Sequence, residues 1–222
     1  MGQGSVWGEA THRLLLRDPP PFPRNPKATE DASFTHNNCG GIRAQFLKNV
    51  LAKSNLTVAR YSKCLHNKES GLKDRDCSTM KPEEFFHRDC EAHRDASKTV
   101  ISSWHKFTFA LENTLSPDYF TEKRFQVLYA GSVPIVWGNH NSISYLPDPD
   151  AAVIVDSSRD SKDEAQDIGK RLHNMSEEEY QAFFAWKKRG LRPSFVRKIF
   201  LSTDFQPCRI CEYMTHHYSF SS

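Results

Sequence analysis

The chain has 222 residues, 38% of them hydrophobic, with a formal net charge of +3. That is enough for one substantial core, and its small, scattered positive charge gives no warrant for nucleic-acid binding beyond a weak preference for anions. Residues 1–30 hold neither a membrane span nor a signal-peptide core, Leu14-Leu15-Leu16 being too short for either.

In chain order, residues 1–30 read as an irregular lead, because Asp18-Pro-Pro-Pro-Phe-Pro23 interrupts any helix. Residues 31–205 read as one α/β domain. Ser33–Asn37 is its first strand. From Ile42 to Lys53, Phe46, Leu47, Val50 and Leu51 recur at helical spacing, which puts Arg43 in the first turn of a helix. Leu56–Tyr61 is the next strand. Between 62 and 97 the periodicity fails, with Gly71, Pro82 and charge dominating and only Phe85-Phe86 apolar, so this stretch reads as a surface insertion at the mouth of a site.

Phe107 opens an apolar β run that ends in a polar loop. Thr121-Glu-Lys123 then starts a helix, and Gly131 passes the chain to the strand that reaches Trp137, giving β-loop-α-β. Ala152–Val155 is another short buried strand. Ser161 with Glu164 suggests a capping box for a helix reaching Leu172, and Ser176 with Glu179 suggests a second for a helix reaching Lys187. Both helices read as scaffold. Residues 206–222 form a cysteine-containing tail.

In open α/β sheets, ligands sit beyond the carboxyl ends of the strands. Glu112, Asn113, Asp118, Tyr119, Glu122 and Lys123 all follow the strand at Phe107 or begin the next helix. A helix N-terminus with a lysine beside it suits a diphosphate, since unpaired N–H groups and an ammonium both favour concentrated negative charge. Glu122 sits badly against phosphate and better against sugar hydroxyls. The pattern therefore points to a nucleotide-sugar.

Leu111-Glu-Asn-Thr, Asp118-Tyr-Phe-Thr-Glu-Lys123 and Ala130-Gly-Ser-Val-Pro-Ile-Val136 together resemble the signature of the α-1,3-fucosyltransferases, glycosyltransferase family ten. Asn38-Cys-Gly-Gly-Ile-Arg43 resembles the segment that supplies that family's phosphate-facing arginine. Cys208-Arg-Ile-Cys211 resembles a cysteine pair near the end of the plant-type core enzymes. The likeness spans roughly residues 31–212 and departs at Leu111, where a Phe is usual.

The resemblance implies the C-terminal, Rossmann-like half of a GT-B enzyme that binds GDP-fucose. Arg43 and Lys123 would neutralise the diphosphate, and Asn113, Tyr119 and Glu122 would contact nucleotide or fucose. It implies inverting transfer of fucose, in α-1,3 linkage, to N-acetylglucosamine of a glycan or glycoprotein acceptor, in the Golgi lumen. The general base and the membrane anchor are expected in an N-terminal region of a full-length form, with Glu112 only a second-choice base. The chain by itself is then expected to be inactive, or to be a truncated nucleotide-sugar-binding domain.

Each residue also has a plainer reading. Arg43 serves equally well as a solvated helix residue, Glu122-Lys123 as an exposed charged pair, Tyr119 as packing and Asn113 as a loop stabiliser. Cys208 and Cys211 read as a structural disulfide rather than half a zinc site, and His216-His217 as solvated. Cys39, Cys64, Cys77 and Cys90 allow three pairings. Asn55-Leu-Thr57 and Asn174-Met-Ser176 are glycosylation sequons, which suit a secretory lumen. Asp148-Pro-Asp150 reads as a turn rather than a metal motif, so no metal ligand is expected. Arg43 and Lys123 would replace the cation, with a divalent metal such as Mn as the alternative.

Overall fold

The computed structural model describes residues 15, 25, 28–37, 40–63, 65–69, 94–117, 119–138 and 141–203, with backbone only at 94–97 and 199–203. The chain runs β1 (Ala32–Phe34), α1 (Gly41–Lys53), β2 (Val58–Arg60), α2 (Arg94–Ser103), β3 (Phe107–Phe109), α3 (Lys123–Ala130) and β4 (Val133–Trp137). It continues through a 3-10 turn (Ser142–Tyr145), β5 (Val153–Val155), α4 (Ser161–His173), α5 (Glu177–Ala182), α6 (Ala185–Arg189) and α7 (Pro193–Thr203).

All pairings are parallel and the strand order is β2-β1-β3-β4-β5. The order reverses between β1 and β3, so the switch point lies between the carboxyl ends of those two strands. That is the crevice in which open α/β sheets bind ligands.

The strands are short and buried on both faces, as parallel strands covered by helices must be. Val133, Ile135 and Trp137 of β4 join Phe46, Leu47 and Val50 of α1 and Ile168 and Leu172 of α4 in one apolar cluster. Val136, pointing the other way, packs with Ala110, Val127 of α3 and Leu146. This alternation of period two fixes a three-layer α/β/α arrangement. Gly131 ends α3 in the left-handed conformation (φ 70°), which a glycine adopts without steric cost.

Hydroxyls replace methyls at one level of the sheet. Ser33 Oγ lies 2.9 Å from Thr108 Oγ1, which lies 3.0 Å from Ser132 Oγ, and Ser132 Oγ donates to Lys106 O at 3.2 Å. The ladder links β1, β3 and the residue that precedes β4.

Several expected boundaries move. The first two strands end earlier than Ser33–Asn37 and Leu56–Tyr61, at Phe34 and Arg60, where His36 turns its ring to the Phe109 carbonyl, the Asn37 side chain accepts from the Lys63 amide and Tyr61 N gives a last bond to Phe34 O. The patternless stretch 62–97 is not all insertion: α2 starts at Arg94, and its apolar signal is only Val100 and Ile101.

The expected capping box at Ser161 does not form. Asp160 is the cap, accepting from the Lys162 and Asp163 amides, while Ser161 Oγ accepts from Asn49 Nδ2 at 2.8 Å and ties α4 to α1. Glu164 instead accepts from the Asp156 amide and from Arg159. The box at Ser176 and Glu179 does form, but the helix it starts breaks at Phe183-Phe184 into α5 and α6.

α1 and α4 approach most closely where Gly169 faces Ser54. A Cβ on Gly169 would stand 2.0 Å from Ser54 Cβ. Gly169→Ala is expected to destabilise the fold by roughly 1–3 kcal/mol through overpacking, with part of the loss recovered by Ser54→Gly, as measured by denaturant unfolding.

Candidate functional site

Beyond β3 the backbone keeps its place beside β4, Ala110 N donating to Ile135 O at 2.9 Å, and this delivers Leu111 and Glu112 to the carboxyl edge of the sheet. Trp137 Nε1, at the end of β4, donates to Glu112 O at 3.1 Å and fixes the start of the loop. Glu112 has a side chain only 3% exposed.

Its carboxylate is fully engaged. The Thr121 amide donates to Oε1 at 2.9 Å, the Thr121 hydroxyl reaches both oxygens at 3.0 and 2.8 Å, and Lys123 Nζ donates to Oε2 at 3.0 Å. Lys123 Nζ also donates to Thr121 Oγ1 at 2.5 Å, and its side chain is 11% exposed. Thr121 and Lys123 flank Glu122, so one carboxylate holds the entry to α3 in place of a side-chain cap, which this helix lacks.

Arg43, buried in the first turn of α1, donates from Nη1 to Leu111 O at 3.3 Å across the switch point. Burial pulls its guanidinium below the ordinary value, while the negative charge of Glu112 and the Tyr119 phenol act in the opposite sense. Arg124, beside Lys123, is buried as well and donates to Ser142 O at 3.1 Å. Burial lowers it to about 10, again with Glu112 opposing the shift.

His36 follows β1 and lies 2.9 Å from Phe109 O through Nε2. Burial first, then the charges of Arg43 and Lys123, push its pKa down to about 3, so at neutral pH it adds no charge. Lys123 thus pairs with Glu112 at the switch point, Arg43 and Arg124 both lie within reach of its charge, and Glu122 stands exposed 3.8 Å from Lys123, which leaves the buried charges with a positive excess.

The structure brings two of the sequence-expected residues to one place: Lys123 pairs with Glu112, and Arg43 binds the carbonyl of Leu111 next to it. Asn113 and Tyr119 are exposed on the adjoining loop, and Glu122 is 43% exposed at 3.8 Å from Lys123. Glu112 proves to be the anchor of the loop rather than a group open to solvent. His36, Thr121, Arg124 and Trp137 were not singled out from sequence. Arg124 and Thr121 stood next to residues that were, whereas His36 and Trp137 are marked only by standing at strand ends.

Asp118, Cys39, Cys64, Cys77, Cys90, Cys208, Cys211 and the His216-His217 pair lie outside the described residues. Asn55 and Asn174 are both exposed. Their sequon hydroxyls are in use: Thr57 Oγ1 donates to Asp31 Oδ2 at 2.7 Å, and Ser176 Oγ caps α5. Asp148 forms a turn, accepting from the Asp150 amide, and pairs with Arg189. Among the described residues no group of three or more His, Cys, Asp or Glu could hold a metal, and no helix is long and apolar enough to cross a membrane.

A parallel sheet whose strand order reverses between β1 and β3 is a doubly wound, Rossmann-like α/β fold, a class that binds its ligands beyond the carboxyl ends of the strands. The model of a family described as "Glycosyltransferase family 10 (fucosyltransferase) C-term" matches residues 26–221, and the chain belongs to that family.

Among its relatives, an Arabidopsis thaliana alpha-(1,4)-fucosyltransferase is 34% identical over 165 residues, which is 73% of this chain and 40% of that protein. A Gallus gallus GDP-fucose protein O-fucosyltransferase 3 is 29% identical over 153 residues, 69% of this chain and 29% of that protein. A crystal structure of an alpha1,3-fucosyltransferase with GDP superposes with TM-score 0.57 at 18% identity, over 96% of this chain and 54% of that one. A second, with GDP-fucose, gives TM-score 0.53 at 21% identity over 86% and 50%. The fold is therefore that of part of a GT-B glycosyltransferase, and the chain spans less than half the length of these two curated relatives.

Replacing Glu112 by Leu leaves Lys123 without its carboxylate, and the expected loss is about 3 kcal/mol in denaturant unfolding, with Glu112→Gln losing less because the Thr121 bond survives. For His36, the unfolded chain takes up a proton near pH 6.5 and the folded chain only near pH 3. The stabilisation is thus complete above pH 6.5 and is lost as pH falls toward 3, by up to ~1.4 kcal/mol per pH unit. His36→Gln is expected to flatten this part of the stability–pH curve, leaving the contribution of His105, whose pKa burial also lowers.

Proposed function

We propose that this chain is the GDP-fucose-binding part of an inverting fucosyltransferase. The observation that carries the reading is the cationic cluster of Arg43, Lys123 and Arg124 at the switch point between β1 and β3, organised by Glu112. An excess of fixed positive charge in a partly desolvated crevice suits a nucleoside diphosphate, and the family supplies the fucose.

In this reading Arg43 and Lys123 face the diphosphate, while Asn113, Tyr119 and Glu122, on the open side of the loop, face nucleotide or fucose. As the bond to the anomeric carbon breaks, negative charge grows on the departing GDP. Cations held in place beforehand then stabilise the transition state more than the bound substrate. A carboxylate base takes the proton from the acceptor hydroxyl that attacks from the opposite face. Glu112 is not assigned that role, since both its oxygens are committed to Thr121 and Lys123. The base is assigned to an acceptor-binding region for which the greater length of the relatives leaves room.

For the acceptor we propose the hydroxyl of N-acetylglucosamine, α-1,3-linked, on N-glycoproteins in the Golgi lumen, on the strength of the plant-type resemblance at Cys208-Arg-Ile-Cys211. The protein O-fucosyltransferase relatives support a second reading, a hydroxyl on the polypeptide itself. Product analysis of the intact protein with a glycopeptide and with the unglycosylated peptide separates the two.

The donor reading is tested by calorimetric titration of the folded chain with GDP-fucose. Saturable binding is expected, weakened about tenfold or more by Arg43→Ala and by Lys123→Ala, roughly 1.4 kcal/mol each, and unaffected by a chelator. A folded chain that binds no GDP-fucose overturns it. A chain that binds donor within an intact protein that transfers nothing would instead be a nucleotide-sugar-binding module.

A further inference from the structure

The loop that carries Tyr119 and Thr121 is gripped from the side by a column of rings with a cation at each end. Arg124 Cζ lies 4.1 Å over the Phe120 ring. The Phe120 and Tyr145 rings lie 4.2 Å apart at 36°, and Lys198 Nζ sits 4.2 Å over Tyr145. The four members come from α3, the loop before it, the 3-10 turn and α7. A cation over each ring meets the negative face of its quadrupole and offsets the mutual repulsion of the two facing rings.

The 3-10 turn that supplies Tyr145 is itself anchored on two sides. Arg124 Nη1 donates to Ser142 O at 3.1 Å from within. From the α7 side, Lys198 Nζ donates to Ser144 Oγ at 2.6 Å, and Arg192 donates to the carbonyls of Ile143, Leu146 and Pro147. Tyr145 is therefore a fixed support, and Phe120 leans on it. Phe120 stands between Tyr119, on the open side of the loop, and Thr121, whose amide and hydroxyl both bind Glu112. Holding one ring in the middle of this tripeptide settles where both neighbours point.

We propose that Phe120, Tyr145 and Lys198 are positioning residues for the donor, forming a brace that holds residues 119–122 in binding geometry and couples α7 to the pocket. The proposal rests on the donor reading above. The brace also gives Arg124 a purpose beyond charge: its guanidinium closes the inner end of the column while its neighbour Lys123 faces Glu112.

The test pairs GDP titration with amide hydrogen exchange at Thr121, on the full chain, for wild type, Tyr145→Leu, Tyr145→Phe and Lys198→Met. Tyr145→Leu is expected to weaken GDP binding ~tenfold and to speed Thr121 exchange, Tyr145→Phe to restore both to within ~2-fold, and Lys198→Met to give a smaller loss of ~3-fold. If Tyr145→Leu does not fold, Lys198→Met at the half-buried end of the column carries the test. A wild type that binds GDP, with variants that bind it equally well whatever their melting temperatures, overturns the proposal. Should the folded wild type bind no GDP, the donor reading fails and the donor-positioning role falls with it, while exchange at Thr121 still shows whether the column braces the loop.

Discussion

Burying a carboxylate costs several kcal/mol unless hydrogen bonds and opposite charge replace the water it loses. Glu112 obtains both from the short stretch Thr121 to Arg124: an amide, a hydroxyl and the ammonium of Lys123 directly, and the field of Arg124 beside it. The strand end that carries Glu112 is held in turn by Trp137 and Arg43, through the carbonyls of Glu112 and Leu111. The Glu112 side chain thus fixes the entry to α3, while its backbone and that of Leu111 are fixed from β4 and α1. Without it, the cations at the switch point would face one another with nothing to hold them apart.

The same arrangement explains why His36 has to be neutral. It stands in the field of Arg43 and Lys123 and lies against the Phe109 carbonyl. A third formal charge there would be repelled by two neighbours and would lose its hydration. An uncharged imidazole fills the space and keeps the hydrogen bond without adding to the repulsion between the cations.

The sequence exposed those parts of the fold that depend on local pattern. Gly131, the apolar run to Trp137 and the spacing of Phe46, Leu47 and Val50 placed β4 and α1 nearly as the structure has them; Lys123 could be picked out because polar residues follow a strand, whereas Arg43 stood out only through the family resemblance of its segment. Chemistry decided by tertiary contact stayed hidden. Ser161 and Glu164 have the spacing of a capping box, but Asp160 is one residue nearer and Asn49 and Arg159 compete for the two side chains. Helix α2 carries too few apolar residues to show a period. Glu112 could be seen as a carboxylate near a ligand, yet its partners Thr121 and Lys123 lie nine and eleven residues away, across a loop whose path no pattern predicts.

The hydroxyl ladder through Ser33, Thr108 and Ser132 has a direction. The Ser132 proton is given to Lys106 O, so Ser132 Oγ must receive from Thr108, and Thr108 must in turn receive from Ser33. Each hydroxyl has a single proton to give, and reversing one link would set lone pair against lone pair further along. Parallel strands joined by long crossovers have no tight turn to set their alignment. A one-residue slip of β3 would put Phe107 or Phe109 where Thr108 now stands and strand two hydroxyls in the dry interior. The ladder therefore acts as a vernier for the sheet, and the alignment it sets is what brings His36, at the end of β1, level with the Phe109 carbonyl at the end of β3.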